Sequence, residues 1–227
     1  MATTITDPYS VGLSGFDKAY TRKKHLKLHK MKSVLSNLKD MVKYRNVLTY
    51  TPESYYQPEK MLDVVSAWKG HDKVILDIMK RFGIKGDKCL EFGVEFGYST
   101  VVFSNYFKSV TGVDIFLGDI HTSHKGDHYK ETKNSLSNHK NIELFKADYK
   151  DWIKKDDTKY DLIHVDIIHT YEDTFECGLW SAKHSECTLF HDTESFPEVK
   201  RAVFDIASKT GKKFYNYPEH YGLGIIV

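Results

Sequence analysis

Short apolar runs that alternate with helical segments constrain the fold of this chain most strongly, and they begin near Lys88. Each run has the length of a buried strand, and most runs are separated by a segment whose apolar residues recur at helical spacing. This alternation predicts an α/β fold with βαβ crossovers and a mostly parallel sheet covered on both faces. The predicted strands are 89–94, 110–115, 142–146, 162–166, 188–191, 214–217 and 223–227, and the predicted helices are 98–107, 129–139, 171–183 and 198–209.

The last two runs are separated only by residues 218–222, which leave no room for a helix. We therefore expect these two strands to pair as an antiparallel hairpin at one end of the sheet.

Two helix starts carry capping signals. Ser195 and Glu198 have the spacing of a capping box with Pro197 in the first turn, and Thr170 with Asp173 is a looser version.

The first 85 residues are interpreted as an N-terminal extension, flexible and helical, that packs on a core domain at 86–227. Residues 1–16 lack periodicity and predict a loose terminus. Residues 18–45 have the apolar spacing of an amphipathic helix, and residues 59–82 predict one or two helices with a break at Gly70.

Composition narrows the class of protein. A chain of 227 residues with 41% hydrophobic content suits one globular domain rather than a disordered chain. It has no apolar run near the ~20 residues of a membrane span, and its start lacks the pattern of a signal peptide. Cys89, Cys177 and Cys187 are odd in number and lack metal-ligand spacing, which fits reduced thiols. We therefore expect a cytoplasmic protein without membrane contact.

Charge is distributed unevenly along the chain. Residues 18–46 contain ten lysines and arginines and one acid, a charge of +9, which leaves −7 on the rest of a chain whose net charge is +2. Such a basic segment could hold nucleic acid, an anionic substrate or the acidic body of the protein itself. Only Tyr20 and Tyr44 interleave with the lysines, so recognition of bases by stacking, and with it a nucleic-acid partner, is disfavoured.

A glycine-bearing turn follows the first predicted strand, in the segment C-L-E-F-G-V-E-F-G-Y-S-T that starts at Cys89. Gly93 and Gly97 would let the backbone approach a ligand closely. Ser99 and Thr100 could cap the next helix or bond a ligand carboxylate near its N-terminus. The G-x-x-x-G spacing differs from that of a dinucleotide turn, and the two glutamates would repel a diphosphate. The turn therefore favours a ligand with a positive centre.

Acidic residues also follow the second and third predicted strands. Asp114 ends the second strand, 23 residues after Glu91, where a carboxylate could accept both hydroxyls of a ribose. Asp148 and Tyr149 follow the third strand, where they could meet an adenine ring. Polar groups at three successive strand ends indicate a ligand that contains a nucleoside.

The segments at 91–100 and 113–114 resemble the first two motifs of class I S-adenosylmethionine (SAM)-dependent methyltransferases. The segments 161–172 and 189–193 are similar to one branch of that superfamily, which includes macrocin-type O-methyltransferases and relatives of cephalosporin hydroxylase. The resemblance covers about residues 86–227. It implies a seven-stranded Rossmann-like sheet of order 3-2-1-4-5-7-6 with strand seven antiparallel.

The resemblance also implies which residues bind SAM. The methionine part would lie on the glycine turn, the ribose on Asp114, and the adenine between Asp148 and Tyr149. The full set is Glu91, Gly93, Glu95, Gly97, Ser99, Thr100, Asp114, Ile115, Asp148 and Tyr149. Where the family often has a Gly-Gly turn before strand five, this chain has Ser185, Glu186 and Cys187, which indicates a divergent member.

A second group of residues follows predicted strands four and five: Asp166, His169, His191 and Asp192. A divalent cation such as Mg²⁺ on Asp166, His191 and Asp192 could lower the pKa of an acceptor hydroxyl. Asp166, His169 and His191 are the candidate catalytic residues, and either histidine could act as a base without a metal. Structural caps are the third interpretation, and the residues alone leave all three open.

Two further groups carry weaker predictions. His121, His124 and His128 lie with Asp119 and Asp127 in a polar stretch that suits a loop or an acceptor lid better than a metal site. The other group consists of aromatic residues that could wall an acceptor pocket or simply pack: Tyr55, Tyr56, Tyr217 and Tyr221.

The leading functional hypothesis is SAM-dependent O-methylation of a small hydroxylated molecule, with homo-oligomerisation left open. One alternative is an inactive module of the same fold that contacts RNA or protein through the basic segment. Another is a metal-dependent hydroxylase-like enzyme, because a fold does not fix the chemistry of its site.

Overall fold

The computed structural model describes residues 46–118 and 126–227. Within them, residues 47–227 form one compact unit. The predicted basic helix at 18–45 lies outside the described residues, so its existence and role stay predictions. None of the helices described is long and apolar enough to cross a bilayer.

Eight strands and six α-helices make up the described fold. The strands are β1 (Leu48–Thr49), β2 (Lys88–Phe92), β3 (Ser109–Asp114), β4 (Ile142–Lys146), β5 (Tyr160–Val165), β6 (Ser185–His191), β7 (Phe214–Tyr217) and β8 (Leu223–Ile226). The helices are α1 (Ile75–Phe82), α2 (Tyr98–Ser104), α3 (Tyr129–Ser135), α4 (Tyr149–Trp152), α5 (Tyr171–His184) and α6 (Pro197–Thr210). A 3-10 turn at His71–Lys73 precedes α1.

The strands form one sheet of order β1-β7-β8-β6-β5-β2-β3-β4. All neighbours are parallel except β8, which runs antiparallel to both β6 and β7. From β2 to β8 this is the expected order 3-2-1-4-5-7-6 with its antiparallel last strand, so the predicted fold is confirmed. The short β1 adds an eighth strand beside β7, which the sequence did not predict.

The central strands are apolar on both faces because helices cover both sides of the sheet. In the register of β2 and β5, Cys89 lies beside Leu162 and Leu90 beside Ile163. The first pair belongs to one buried core and the second pair to the other. Side chains two apart therefore share a face, and the near-continuous apolar runs in the sequence follow from this double burial.

The predicted helix at 59–70 is wrong, because the backbone there is irregular up to the 3-10 turn. Its polar groups bond elsewhere: Lys60 N donates to Asn105 Oδ1 at 2.7 Å, and Asn105 Nδ2 donates to Lys60 O at 2.9 Å. Gly70, with φ of 107°, ends the segment in a conformation that a helix excludes. Tertiary contacts thus override the helical pattern of this stretch.

The two predicted helix caps have different outcomes. Thr170 caps α5, since its hydroxyl accepts from Asp173 N at 3.2 Å. The Ser195 capping box is wrong, because the N-cap of α6 is Phe196 and makes no side-chain bond. Instead, Ser195 N donates to Tyr221 O at 3.2 Å, so Ser195 is tied to the hairpin between β7 and β8.

Candidate functional site

A cavity of about 880 Å³ opens at the carboxyl ends of the parallel strands. The ends of β2, β3, β5 and β6 meet there, as ligand sites of open α/β sheets do. Most of the residues singled out in the sequence line it: Gly93, Glu95, Ser99, Asp114, Ile115, Asp148, Tyr149, Asp166, His169, His191 and Asp192. Glu91, Gly97 and Thr100 do not line it and lie behind its wall.

Gly93 lies close to the backbone at the end of a neighbouring strand. Its φ is 88°, and a Cβ placed there would lie 1.7 Å from the carbonyl oxygen of Asp166. Only glycine therefore lets the end of β2 pass so close to the end of β5. Close approach between two backbones thus accounts for this glycine, and close approach to a ligand stays a prediction.

Asp114 holds the glycine turn in place. Its Oδ2 accepts from Val94 N at 2.7 Å and from Glu95 N at 2.9 Å, and its Oδ1 accepts from Phe116 N at 2.6 Å. A carboxylate has about four acceptor positions, so about one remains for a ribose hydroxyl. The carboxylate therefore has fewer open acceptor positions than the two ribose bonds predicted from the sequence would need.

Asp148 and Tyr149 form the part of the cavity wall that follows β4. Asp148 is the N-cap of α4 and accepts from Lys150 N at 2.8 Å. The Tyr149 hydroxyl donates to Asp173 Oδ1 at 2.8 Å, and burial together with this bond raises the pKa of Tyr149. Its ring packs edge-on against Phe92, so the position of the aromatic wall is fixed.

Glu91 is fully buried beneath the glycine turn. Its carboxylate accepts from the hydroxyls of Ser99, at 2.5 Å, and Thr100, and it lies 2.9 Å from His164 Nδ1. Trp68 Nε1 donates to the other ring nitrogen of His164 at 3.1 Å. The direct contact with the cosubstrate expected for Glu91 is replaced by a buried network that ends at Ser99.

The Asp/His cluster (Asp166, His169, His191 and Asp192) assembles as predicted at the ends of β5 and β6. His169 Nε2 lies 3.0 Å from Asp192 Oδ2 and 3.7 Å from Asp166 Oδ1. His191 Nδ1 lies 3.1 Å from Asp166 Oδ2 and 3.2 Å from Asp192 Oδ2. Both histidines therefore lie between the same two carboxylates.

This mutual contact shifts all four pKa values. Burial alone would lower the pKa of both histidines, but the bonds and charges of Asp166 and Asp192 raise it to about 9 for His169 and about 10 for His191. Burial opposes ionisation of the acids, yet the histidines hold the pKa of Asp166 well below its usual value and that of Asp192 at about 2. With no cation bound, the imidazoles act at neutral pH as hydrogen-bond donors to these carboxylates rather than as proton acceptors.

The donor chemistry of the cluster fits a cation. One ligand atom each from Asp166, His169 and Asp192 lie within 4.8 Å of one another. Asp192 has a φ of 63°, a strained conformation for this residue type that sets its carboxylate beside the two histidines. His169 thus joins the predicted ligands Asp166 and Asp192, while His191 Nδ1 contacts both of these carboxylates.

Comparison with the sequence profiles of known protein families gives a match for this part of the chain. The profile of a methyltransferase domain family matches residues 90–193, which span β2 to the end of β6 and include the Asp/His cluster. Residues 90–193 therefore match a methyltransferase domain, and the strand order of the sheet is the one expected for class I methyltransferases. A search of curated protein sequences finds no match.

Solved structures with the same fold include three methyltransferases. A protein described as a caffeoyl-CoA O-methyltransferase from Staphylococcus aureus has a TM-score of 0.56 and 13% identity, over 91% of this chain and 98% of its own. The O-methyltransferase from Bacillus cereus, in complex with S-adenosylhomocysteine (SAH), has a TM-score of 0.52 and 12% identity, over 72% and 82%. A Streptococcus mutans methyltransferase, also with SAH, has a TM-score of 0.51 and 14% identity, over 66% and 96%. At such identities the likeness shows a shared fold.

Only some of the histidines and tyrosines with weaker predictions line the cavity. His121, His124 and Asp119 fall outside the part of the chain that is described, and Asp127 pairs with Lys146 at 2.7 Å. His128 does line the cavity, with its ring packed on Phe96 and Phe116. Among the tyrosines proposed for an acceptor wall, Tyr221 lines the cavity, whereas Tyr55, Tyr56 and Tyr217 do not.

Sequence reasoning missed three buried residues at or near the cavity. Trp68 lines the cavity from within a stretch predicted to be helical, and His164 lies inside a strand where it was read only as part of a motif. His71 was also missed; it is fully buried, and its ring lies 5.2 Å from that of His191. A tryptophan and histidines in otherwise apolar surroundings were the available signal, but their partners are about 100 residues away in the chain.

Proposed function

We propose that this methyltransferase transfers the methyl group of SAM to a hydroxyl of a small molecule, and that a divalent cation in the Asp/His cluster assists. The observation that carries the proposal is that the glycine turn and the Asp/His cluster line one cavity. Methyl transfer requires an aligned acceptor more than covalent catalysis, so a shared cavity is the arrangement it needs.

SAM would occupy the side of the cavity formed by β2, β3 and α4. Asp114 Oδ1 would accept from a ribose hydroxyl, and Tyr149 with Ile115 would flank the adenine. Glu95 and Asp114 add negative charge, which suits a sulfonium better than a phosphate. When bound, SAM supplies a methyl group on a positively charged sulfur, which is a good leaving group.

The acceptor would occupy the remaining side, between residues 64–68 and the hairpin after β7. Its wall is largely apolar, with Val65, Ile168, Phe196 and Tyr221 around the Asp/His cluster. A cavity of this size and lining suits a small molecule with an apolar body and a few polar groups. The side chains would exclude water around the acceptor hydroxyl.

Asp166, His169 and Asp192 would hold the cation. A cation there would lower the pKa of the acceptor hydroxyl as a Lewis acid. Two carboxylates suit Mg²⁺, and the histidine nitrogen adds affinity for transition metals such as Mn²⁺. His191 would orient both carboxylates through its bonds to them.

The test has two stages. Calorimetry with SAH should show binding to the purified protein, and no binding at high concentration would end the proposal. Methyl transfer from labelled SAM to a panel of small phenols, sugars and alcohols is then measured after chelation and after re-addition of Mg²⁺ or Mn²⁺. We expect turnover to fall on chelation and to return with a metal; full turnover after exhaustive chelation would reject the cation.

Asp192→Asn and Asp151→Asn form a matched pair for the second stage. Asp192 lies in the Asp/His cluster, whereas Asp151 is exposed and pairs only with Lys154 among its described contacts, at 3.1 Å. We expect Asp192→Asn to lower kcat by roughly a hundredfold, a usual size for loss of a metal or general acid–base group, and Asp151→Asn to leave kcat unchanged. Equal kcat values for the two variants would contradict the assigned role.

A further inference from the structure

We propose that Trp68 and His164 are positioning residues for SAM, which act through Glu91 on the Ser99 hydroxyl at the cavity wall. The inference deepens the proposed use of the glycine turn for SAM and rests on it. It concerns a chain of four buried groups, the Trp68–Ser99 relay: the indole of Trp68, the imidazole of His164, the carboxylate of Glu91 and the hydroxyl of Ser99.

The relay is continuous and buried. Trp68 Nε1 lies 3.1 Å from His164 Nε2, His164 Nδ1 lies 2.9 Å from Glu91 Oε1, and Ser99 Oγ lies 2.5 Å from the same oxygen. His164 and Glu91 have no exposed surface, and Trp68 is 2% and Ser99 6% exposed. Water therefore cannot substitute for a missing partner without a rearrangement of the core.

The chemistry of the partners fixes every proton in the relay. An indole nitrogen only donates, so His164 Nε2 must accept and carries no proton. The proton of the neutral ring is then on Nδ1, which donates to Glu91. Because a carboxylate only accepts, Ser99 must donate its hydroxyl proton to Glu91 as well. Removal of the Trp68 N–H would leave His164 Nε2 as a buried acceptor without a partner.

The two ends of the relay lie on the wall of the same cavity. Trp68 and Ser99 line it, whereas Glu91 and His164 do not. Trp68 belongs to the irregular segment before the 3-10 turn, so no helix holds it. Its indole is fixed by ring contacts with His71, Phe103 and His164 and by this hydrogen bond. Ser99 lies in the first turn of α2, directly after the glycine turn.

This arrangement couples the wall formed by residues 64–68 to the glycine turn. The Trp68 bond keeps His164 in one tautomer, that tautomer holds Glu91, and Glu91 sets the direction of the Ser99 hydroxyl. Glu91 thus affects SAM from beneath the turn, without touching it. Loss of one end should weaken cosubstrate binding at the other.

Trp68→Phe tests the relay against Trp152→Phe as the matched control. Trp152 Nε1 also donates to a carboxylate, Asp156 at 2.9 Å, but Trp152 lies outside the cavity wall. We expect Trp68→Phe to weaken SAH binding in calorimetry about tenfold, which corresponds to about 1.4 kcal/mol. Trp152→Phe should leave the SAH affinity unchanged. Equal affinities for the two variants would overturn the relay.

A second pair keeps the test decisive if Trp68→Phe does not fold. His164→Asn places an amide N–H near the Nδ1 position and can still donate to Glu91, whereas His164→Gln places it near Nε2. We expect the asparagine variant to bind SAH more tightly than the glutamine variant. The reverse order, or equal binding, would refute the assigned direction of the bond.

Long-range ¹H–¹⁵N spectra of the unmutated protein give an independent readout. They should show His164 as the neutral tautomer with its proton on Nδ1, and a proton on Nε2 would overturn the relay. This spectrum does not require a ligand. If the protein failed to bind SAH while the spectrum showed the Nδ1 tautomer, the proposed function would fail and the proton arrangement would stand.

Discussion

The Asp114 carboxylate fixes the backbone of two loops before any ligand arrives, since it accepts from amides of the glycine turn and of the segment after β3. An amide side chain could accept from only one of these sides, and its NH₂ group would face an N–H donor on the other. We expect Asp114→Asn to lower the free energy of unfolding by about 1–3 kcal/mol, as for other unsatisfied buried groups, and to weaken SAH binding. Urea unfolding and calorimetry measure the two effects.

Asp148→Asn is the appropriate control for that substitution. Asp148 also accepts one backbone N–H, but as an exposed N-cap, a position where asparagine serves as well as aspartate. Its unfolding free energy should therefore change little. If Asp148→Asn were as destabilising as Asp114→Asn, the loss could not be assigned to the two-sided contact of Asp114.

His71 makes stability depend on pH. Burial and the nearby His191, His220 and His164 lower the pKa of His71 to about 3, whereas an unfolded histidine titrates near its usual value of 6.5. The unfolded state therefore binds a proton as pH falls below about 6.5, while the folded state does not. The stabilisation is complete above pH 6.5 and is lost as pH falls from there toward about 3.

The measurement compares the unmutated protein with His71→Gln in chelator. The difference in unfolding free energy should shrink between pH 7.5 and pH 5 by up to about 1.4 kcal/mol for each pH unit below 6.5. A difference that stays constant over this range would show that His71 does not resist protonation.

Among the turns, the one at Gly93 lies where the carboxyl ends of β2 and β5 approach each other, and both ends build the site. Gly93→Ala combines a positive φ with a Cβ that would lie 1.7 Å from Asp166 O. Gly83→Ala, at the end of α1, has a similar φ of 66°, and no atom of the described residues lies within 4 Å of the added Cβ. The control should lose about 1 kcal/mol from backbone strain alone.

Gly93→Ala should lose more than the control, because the end of β5 has to move, and it should also lower SAH affinity. Urea unfolding and calorimetry with SAH on both variants separate the cost of backbone strain from the cost of moving the end of β5. Equal stability loss for the two alanines would mean that the turn tolerates the extra atom, and that the approach of β2 to β5 does not limit the site.

The strands and the irregular segment before α1 show what the sequence could and could not predict. Runs such as Cys89 to Phe92 carry apolar residues on both faces, so the local pattern alone identifies a central strand. Asp114 and Asp166 then fall at the carboxyl ends of two parallel strands, β3 and β5. The stretch at 59–70 has helical spacing, but its conformation depends on Asn105 and His164, which are distant in the chain. The direction of the Glu91 side chain also depends on a residue distant in the chain, His164.

At the scale of the described fold, the two larger cores lie on opposite faces of one sheet and share its strands. Cys89 and Cys187 belong to the first core and Cys177 to the second. All three are free and buried, and burial raises the pKa of each thiol, to about 12 for Cys187. Since the thiolate is the reactive form, the folded protein should resist alkylation.

Iodoacetamide labelling followed by mass spectrometry tests whether both cores open together. At pH 8 we expect no labelled thiol in the folded protein and three in denaturant. At intermediate urea the three cysteines should label at the same rate, because a sheet covered on both faces cannot lose one core without exposing strands that the other core needs. Faster labelling of Cys177 than of Cys89 and Cys187 would instead show that the helical face of α5 and α6 opens first.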